Sequence, residues 1–432
     1  MTSVAPTARR LETVAGKRMP TTASAARIAW PLAVLAFVYP FHTYVRTPLG
    51  VFNISLADPV VALTLLVLAV KYGGALPVPP AAGALALIVA AAAASVAGAV
   101  LPPAAPYFLP AVGIAELAKL CGVLAWLVTF YVLLRPHVGS GLRAFTAVSL
   151  ATATAFALWT VFESLAHQRI RPIGPFENPN IYANYLIMNL FFAWLWFGWT
   201  SQRRSTSGSL IPLACIPVLL LAVVATGSRG GLLGLAAGTM VVLWGGRGRS
   251  SPHRLAGLVI FVASAYAVGA FLQGNPFIAG RLEGLADPAG PYPPERLALW
   301  SAAGAAFFEA PLLGIGYGQF PQYAALVHGL APKVAHSTYL SFAAETGVLG
   351  ILALGWLLVV VARMALRSGR LLGGAAQPLL GFLVATLVQG MFANVEHFRS
   401  LWIAVAMLAA VVSAASVTYR APAAVVRGRQ RR

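Results

Sequence analysis

Residues 111–134 read AVGIAELAKLCGVLAWLVTFYVLL, an apolar run of 24 residues broken by one acid and one base, Glu116 and Lys119. About 20 predominantly apolar residues are what a helix needs to cross the hydrocarbon of a bilayer. Glu116 and Lys119 lie one helical turn apart, where opposite charges can pair with each other. Short segments of strict apolar–polar alternation, the mark of a membrane β-barrel, are not visible. Eleven more runs of the same kind follow or precede it, near 28–45, 54–71, 81–101, 144–164, 181–199, 210–225, 230–244, 255–272, 346–363, 376–393 and 400–418. The pattern predicts an all-α polytopic membrane protein with about 12 transmembrane helices.

Composition agrees. Of 432 residues, 59% are hydrophobic and 9% charged, and the mean hydropathy is +0.79. A soluble domain carries about 25% charged residues. The net charge of +19 could point to nucleic acid, a membrane surface or an anionic substrate, and position decides among them. The segments 1–27 and 419–432, the connections holding Arg135 and Arg143, Arg203 and Arg204, Arg247 to Arg254, and Arg363 to Arg370, together with Lys71, contain 21 of the 30 basic residues and one acid, Glu12. The alternate connections hold eight basic residues. Excess Lys and Arg marks the cytoplasmic side. Both termini are therefore expected in the cytoplasm as basic tails, and most of the positive charge is topological, so it does not argue for nucleic acid. Spans one to nine are expected within 28–272, a large loop with short helices of its own over 273–345 on the opposite side, and spans ten to twelve within 346–418. Cys121 and Cys215 both fall inside apolar runs, which argues against a disulfide framework or a zinc site.

Basic residues on the side opposite the cytoplasm need a reason. Arg229 lies in Thr226-Gly-Ser-Arg-Gly-Gly231, between two spans with almost no loop. Ionisable groups at that depth are costly and pair with something; a helix-end arginine can also simply snorkel. Arg296 stands on an amphipathic stretch of the large loop, where a local salt bridge with Glu295 or another loop carboxylate is the plainer reading. Arg281, Arg169 and Arg171 are weaker candidates, since each could face water. His336 precedes a span, close in sequence to Tyr339, and histidine is the side chain suited to moving protons near neutral pH; a structural role is the alternative. No paired acids for a divalent metal, no HExxH and no Cys/His cluster are found on this side, and the chain has no GxxxxGK[ST] loop. Any chemistry is expected to be free of metal and cofactor, with arginines holding an anionic substrate, bidentately if it is a phosphate.

Four stretches together resemble the O-antigen ligase and polymerase superfamily of bacterial envelope glycosyltransferases. They are Pro175-Phe-Glu-Asn-Pro-Asn-Ile-Tyr-Ala-Asn-Tyr185, the Ser-Arg-Gly turn at 228–230, Arg296-x-x-x-Trp300 with Pro311-Leu-Leu-Gly-Ile-Gly316, and Ala335-His-Ser-Thr-Tyr-Leu340 followed by Glu345-Thr-Gly347. Ala335 and Ser337 stand where this family usually has Pro and Asn. The resemblance implies transfer of a glycan from an undecaprenyl diphosphate carrier, at a periplasmic face of the bacterial inner membrane. The implied acceptor is a sugar hydroxyl of lipid A–core in a ligase, a second carrier-linked glycan in a polymerase, or a protein hydroxyl in an oligosaccharyltransferase. The ligase is the leading expectation, since the chain is compact and shows no added soluble domain; a lipid-linked glycan transporter is the non-enzymatic alternative. His336, Arg229 and Arg296 are the expected catalytic residues, with no metal. Asn178, Asn180, Ser228, Tyr339 and Arg281 join the two arginines as expected substrate-binding residues.

Overall fold

The computed structural model describes residues 22–47, 50–101, 104–167, 172–176, 178–202, 206–244, 258, 262, 294–372 and 377–429. A first helix, α1 (Thr22–Val38), is followed by an antiparallel hairpin of β1 (His42–Thr47) and β2 (Gly50–Ser55), in which His42 pairs with Ser55 and Thr47 with Gly50. Helices α2 (Ala57–Lys71), α3 (Ala82–Gly98), α4 (Pro110–Leu134), α5 (Val138–His167), α6 (Pro179–Gln202), α7 (Thr206–Ala225) and α8 (Arg229–Trp244) come next. Beyond them are α9 (Pro294–Glu309), α10 (Phe320–His328), α11 (Thr338–Leu372), α12 (Gln377–Gln389) and α13 (Arg399–Arg429).

The chain is mostly helical, as expected, and the hairpin is a local exception that shortens the span placed at 28–45. Pro40 disfavours helical backbone at the residue before it, so α1 stops at Val38. The next stretch, His-Thr-Tyr-Val-Arg-Thr, is rich in β-branched and aromatic residues that suit a strand. The span expected at 255–272 falls outside the described residues except at 258 and 262, which are helical. Among the described residues, the stretches 110–164 and 338–368 are helical, long and apolar enough to cross a membrane, and shorter apolar helices occupy 82–98, 214–225, 229–244, 377–389 and 399–414.

Helix pairs α6–α7, α3–α11, α1–α5, α4–α13 and, most extensively, α8–α12 form the bundle. The last pair is close for a specific reason. A Cβ on Gly234 would fall 2.3 Å from the Ala385 carbonyl oxygen, and one on Gly238 would fall 2.2 Å from that of Gly381. With no hydrophobic drive between helices in lipid, small residues that let backbones touch supply the packing. Helix α11 is two helices joined at Gly347, whose left-handed φ of 58° breaks the regular ladder. The amide of Val348 then bonds to the Pro311 carbonyl at 2.8 Å.

The connections around 42–55, 104–109, 172–180, 226–229, 294–337 and 390–398 come together at one end of the bundle. There, α9 and α10 and the turn between them build a small core from Leu299, Ala303, Ile315, Phe320 and Tyr323, closed by Ala99 just past α3 and Tyr107 of the connection that follows. Glu309 ties it by accepting hydrogen bonds from the hydroxyls of Tyr107 (3.3 Å) and Tyr323 (2.9 Å).

Candidate active site

The Arg229 side of this end is made of helix termini. Asn178 stands before α6 with Pro179 in its first turn, and its side-chain oxygen accepts from the Asn180 amide at 2.9 Å. Asparagine before a helix and proline at its first position is a favoured start. Ser228 does the same for α8, its hydroxyl oxygen accepting from the Gly231 amide at 3.3 Å. That hydroxyl donates in turn to the Asn180 side-chain oxygen at 2.9 Å, which joins the two helix starts. Arg229 is thus the first residue of α8, half-buried. A guanidinium at a helix N-terminus adds its charge to the positive end of the helix dipole, an arrangement suited to an anion.

Buried amides lock this corner. Gln389 donates to the Asn180 carbonyl at 3.0 Å and accepts from the Asn184 side chain at 2.9 Å. Asn184 also donates to the Thr386 hydroxyl at 3.0 Å and accepts from the Ser400 hydroxyl. Gln389, the last residue of α12, therefore touches the Asn180 start directly.

The adjoining residue, Gly390, leads to the histidine side. Its carbonyl accepts from the Thr338 amide at 2.9 Å. The Thr338 hydroxyl lies 2.7 Å from a Glu396 carboxylate oxygen and accepts from the Val395 amide at 2.8 Å. Tyr339 donates its hydroxyl to the Leu387 carbonyl at 2.8 Å. Two residues before Thr338, His336 has φ of 53°, the single non-glycine residue in the left-handed region among those described. A side chain held there is unusual, and such residues gather at functional sites.

Helix α9 covers His336 from the other side. The Trp300 indole donates to the Ala335 carbonyl at 3.0 Å, and Lys333 pairs with Glu295 at 2.7 Å. Burial first, then the nearby charges of Arg296 and Lys333, hold the His336 imidazolium in disfavour, so its pKa is below the ordinary value of 6.5; Glu295 opposes this weakly. A ring that is neutral at pH 7 can accept a proton. Arg296 therefore acts on the imidazole, while Glu295 is paired with Lys333.

The structure thus links Asn178, Asn180, Ser228 and Arg229 to Tyr339 and His336 through residues 386–396, and sets Arg296 beside His336. Arg281, Arg169 and Arg171 lie outside the described residues. Glu116 and Lys119 do pair, at 2.5 Å, and the same carboxylate meets His397 at 3.4 Å, which is 3.3 Å from the Tyr317 hydroxyl. Sequence reasoning missed Thr338, Gln389 and Glu396 as partners of the site. The available signal was polar residues crowded into the short connection Gln389-Gly-Met-Phe-Ala-Asn-Val-Glu-His397 between two apolar runs.

Beside Thr338 and Glu396 opens an apolar groove between α3, α4, α11, α12 and α13. It holds about 670 Å³ of empty space including its open side, and Leu85, Leu120, Phe342, Leu383 and Trp402 are among its lining residues.

Fold and site together define a helical membrane protein with an arginine- and histidine-bearing face at one end of the bundle. A family model described as O-antigen ligase matches residues 213–355. The matched segment, about a third of the chain, holds Arg229, Arg296 and His336 and is similar to that family. No curated protein matches the chain.

Proposed function

We propose that this protein is an O-antigen ligase, transferring the glycan of an undecaprenyl diphosphate carrier to a sugar hydroxyl of lipid A–core at the periplasmic face of the inner membrane. The observation that carries the reading is His336: partly buried, left-handed in backbone, its pKa held below the ordinary histidine value by burial, and set beside Arg296. An acceptor hydroxyl has a pKa far above 7 and needs a placed base as its bond to carbon forms. In the proposed step the acceptor oxygen attacks the anomeric carbon and its proton passes to His336. The bond from that carbon to the diphosphate oxygen breaks, and undecaprenyl diphosphate leaves with the bonding pair. Attack from the face opposite the leaving group inverts the anomeric centre. Arg229 and Arg296 stabilise the charge gathering on the diphosphate. The chain's own groups suffice for this step, so no metal is invoked. The apolar groove beside Thr338 supports a lipid-linked donor, because a polyprenyl tail needs an apolar bed next to a polar reaction centre.

The deciding experiment gives the purified protein a carrier-linked glycan and three acceptors separately: lipid A–core, a second carrier-linked glycan, and a protein substrate. Transfer to lipid A–core is expected. Elongation of the second glycan would make the protein a polymerase, modification of the protein an oligosaccharyltransferase, and passage of the glycan across a vesicle membrane without transfer a transporter.

A further inference from the structure

The left-handed conformation of His336 does not follow from its neighbours in sequence, because an L side chain disfavours it. It persists only where the surroundings over-determine it. Two anchors flank the residue, and each comes from a distant part of the chain. On the N-terminal side, the carbonyl of the buried Ala335 accepts from the Trp300 indole at 3.0 Å. On the C-terminal side, the Thr338 amide donates to Gly390 (2.9 Å) and Ala393 (3.2 Å). The Thr338 hydroxyl has two acceptors in reach, a Glu396 carboxylate oxygen at 2.7 Å and the Ala393 carbonyl at 3.1 Å, and it takes the Val395 amide at 2.8 Å.

Glu396 is itself held. Its other carboxylate oxygen accepts from Asn394 at 2.9 Å, and its backbone carbonyl accepts from the Trp402 indole at 2.7 Å. Asn394 reaches back to the Ser341 hydroxyl at 2.9 Å, one turn along from Thr338. These bonds are buried or half-buried, where a directed bond is stronger than in water.

We propose that Trp300 and Thr338, the latter through Glu396, are positioning residues for the proton-accepting His336: they grip the chain on either side of the imidazole and fix its backbone. The proposal rests on the reading of His336 as the base. The spacing of Arg296 and Trp300 gains a reason from it. One turn of α9 carries both the cation that faces the imidazole and the indole that holds its loop, so charge and position are set by one rigid element. Among the described residues, the charged groups facing His336 are Arg296 and Glu295 on α9 and Lys333 on the preceding loop. If an anchor is lost, the imidazole is freed from burial and from Arg296, and protonation becomes easier.

The test uses Trp300→Phe, which removes the indole N–H from the bond to Ala335, and Thr338→Val, which keeps the side chain's shape and removes its hydroxyl. Initial rates of transfer are measured against pH and against donor concentration, with His336→Asn alongside. Each anchor variant is expected to lower kcat by about tenfold to a hundredfold, the scale of a small misplacement of a reacting group. The donor KM should stay near the wild-type value, and the acid limb of the profile should move to higher pH. Thr338→Ser should restore both rate and limb. A fall in rate with an unmoved acid limb, or wild-type behaviour of both variants, overturns the positioning role while an inactive His336→Asn leaves the base reading intact. An active His336→Asn overturns the base reading itself. Should Thr338→Val fail to fold, Trp300→Phe carries the decision.

Discussion

The arginine side and the histidine side of the site are built by different means. Arg229 opens a helix that is pressed against α12 through Gly234 and Gly238, and its neighbours Asn178 and Ser228 make ordinary helix-start hydrogen bonds. The elements there are regular, and the positive end of α8 is a by-product of their regularity. His336 sits in irregular backbone and takes its position from Trp300 and from residues 390–396. The difference fits the two tasks proposed for these residues. The regular start of a helix holds an arginine well enough to offer its forked donors to an anion, whereas proton transfer needs the base itself within hydrogen-bond reach of the proton it takes.

The largest expected effect separates the two sides at once. His336→Asn keeps a residue that tolerates left-handed backbone and removes the basic nitrogen. Transfer should fall by about 100- to 10,000-fold, while donor binding, measured by retention of a labelled carrier-linked glycan, persists. Loss of donor binding would instead move His336 into the diphosphate site and dissolve the division of labour.

Arg229→Ala should slow transfer about a hundredfold, on the order of 3 kcal/mol for one contact to a developing anion. Arg229→Lys should remain impaired, because an ammonium lacks the forked donor geometry. Full activity in the lysine variant would reduce Arg229 to a point charge.

Gln389→Leu tests the rigidity of the arginine side. It leaves the Asn184 amide and the Asn180 carbonyl short of partners, at a cost of about 1–2 kcal/mol. The expected readout is a lower unfolding midpoint in detergent, with the acid limb of the rate profile unmoved; a shifted limb would mean that the two sides are not mechanically separate.

The smallest effect concerns the histidine side alone. The His336 imidazole resists protonation, so wild-type activity should fall only below the ordinary histidine value of about 6.5. Lys333→Ala removes a cation that disfavours the imidazolium and frees Glu295, which favours it. Both changes raise the pKa, so the acid limb should move to higher pH. A limb that moves lower, or stays, would show that Lys333 does not act on His336.

Much of this protein was legible in advance, and the gaps have particular causes. Runs such as 111–134 announce helices because hydropathy is a property of each residue summed over a window, and nothing distant alters it. The hairpin at 42–55 escaped because its apolar strand residues extend the first run past Pro40, which ended the helix. Arg229, Arg296 and His336 stood out because charge is scarce on that set of connections. Asn178 and Ser228 sat in helix-start patterns, which are local chemistry.

By itself, then, the sequence determined a helical membrane chain, the residue types able to hold an anion and take a proton, and where along the chain they stand. Only the tertiary structure decided that Gln389 and Gly390 join the two sides, that Arg296 faces His336, and that Thr338 meets Glu396 across 58 positions of sequence. The left-handed backbone of His336 belongs with these. Its own sequence neighbourhood disfavours it, and it is flanked by a hydrogen bond from an indole on α9 to Ala335 and one from the Thr338 hydroxyl to a carboxylate beyond α12, because the energy that selects a strained conformation comes from contacts the chain makes only once it is folded.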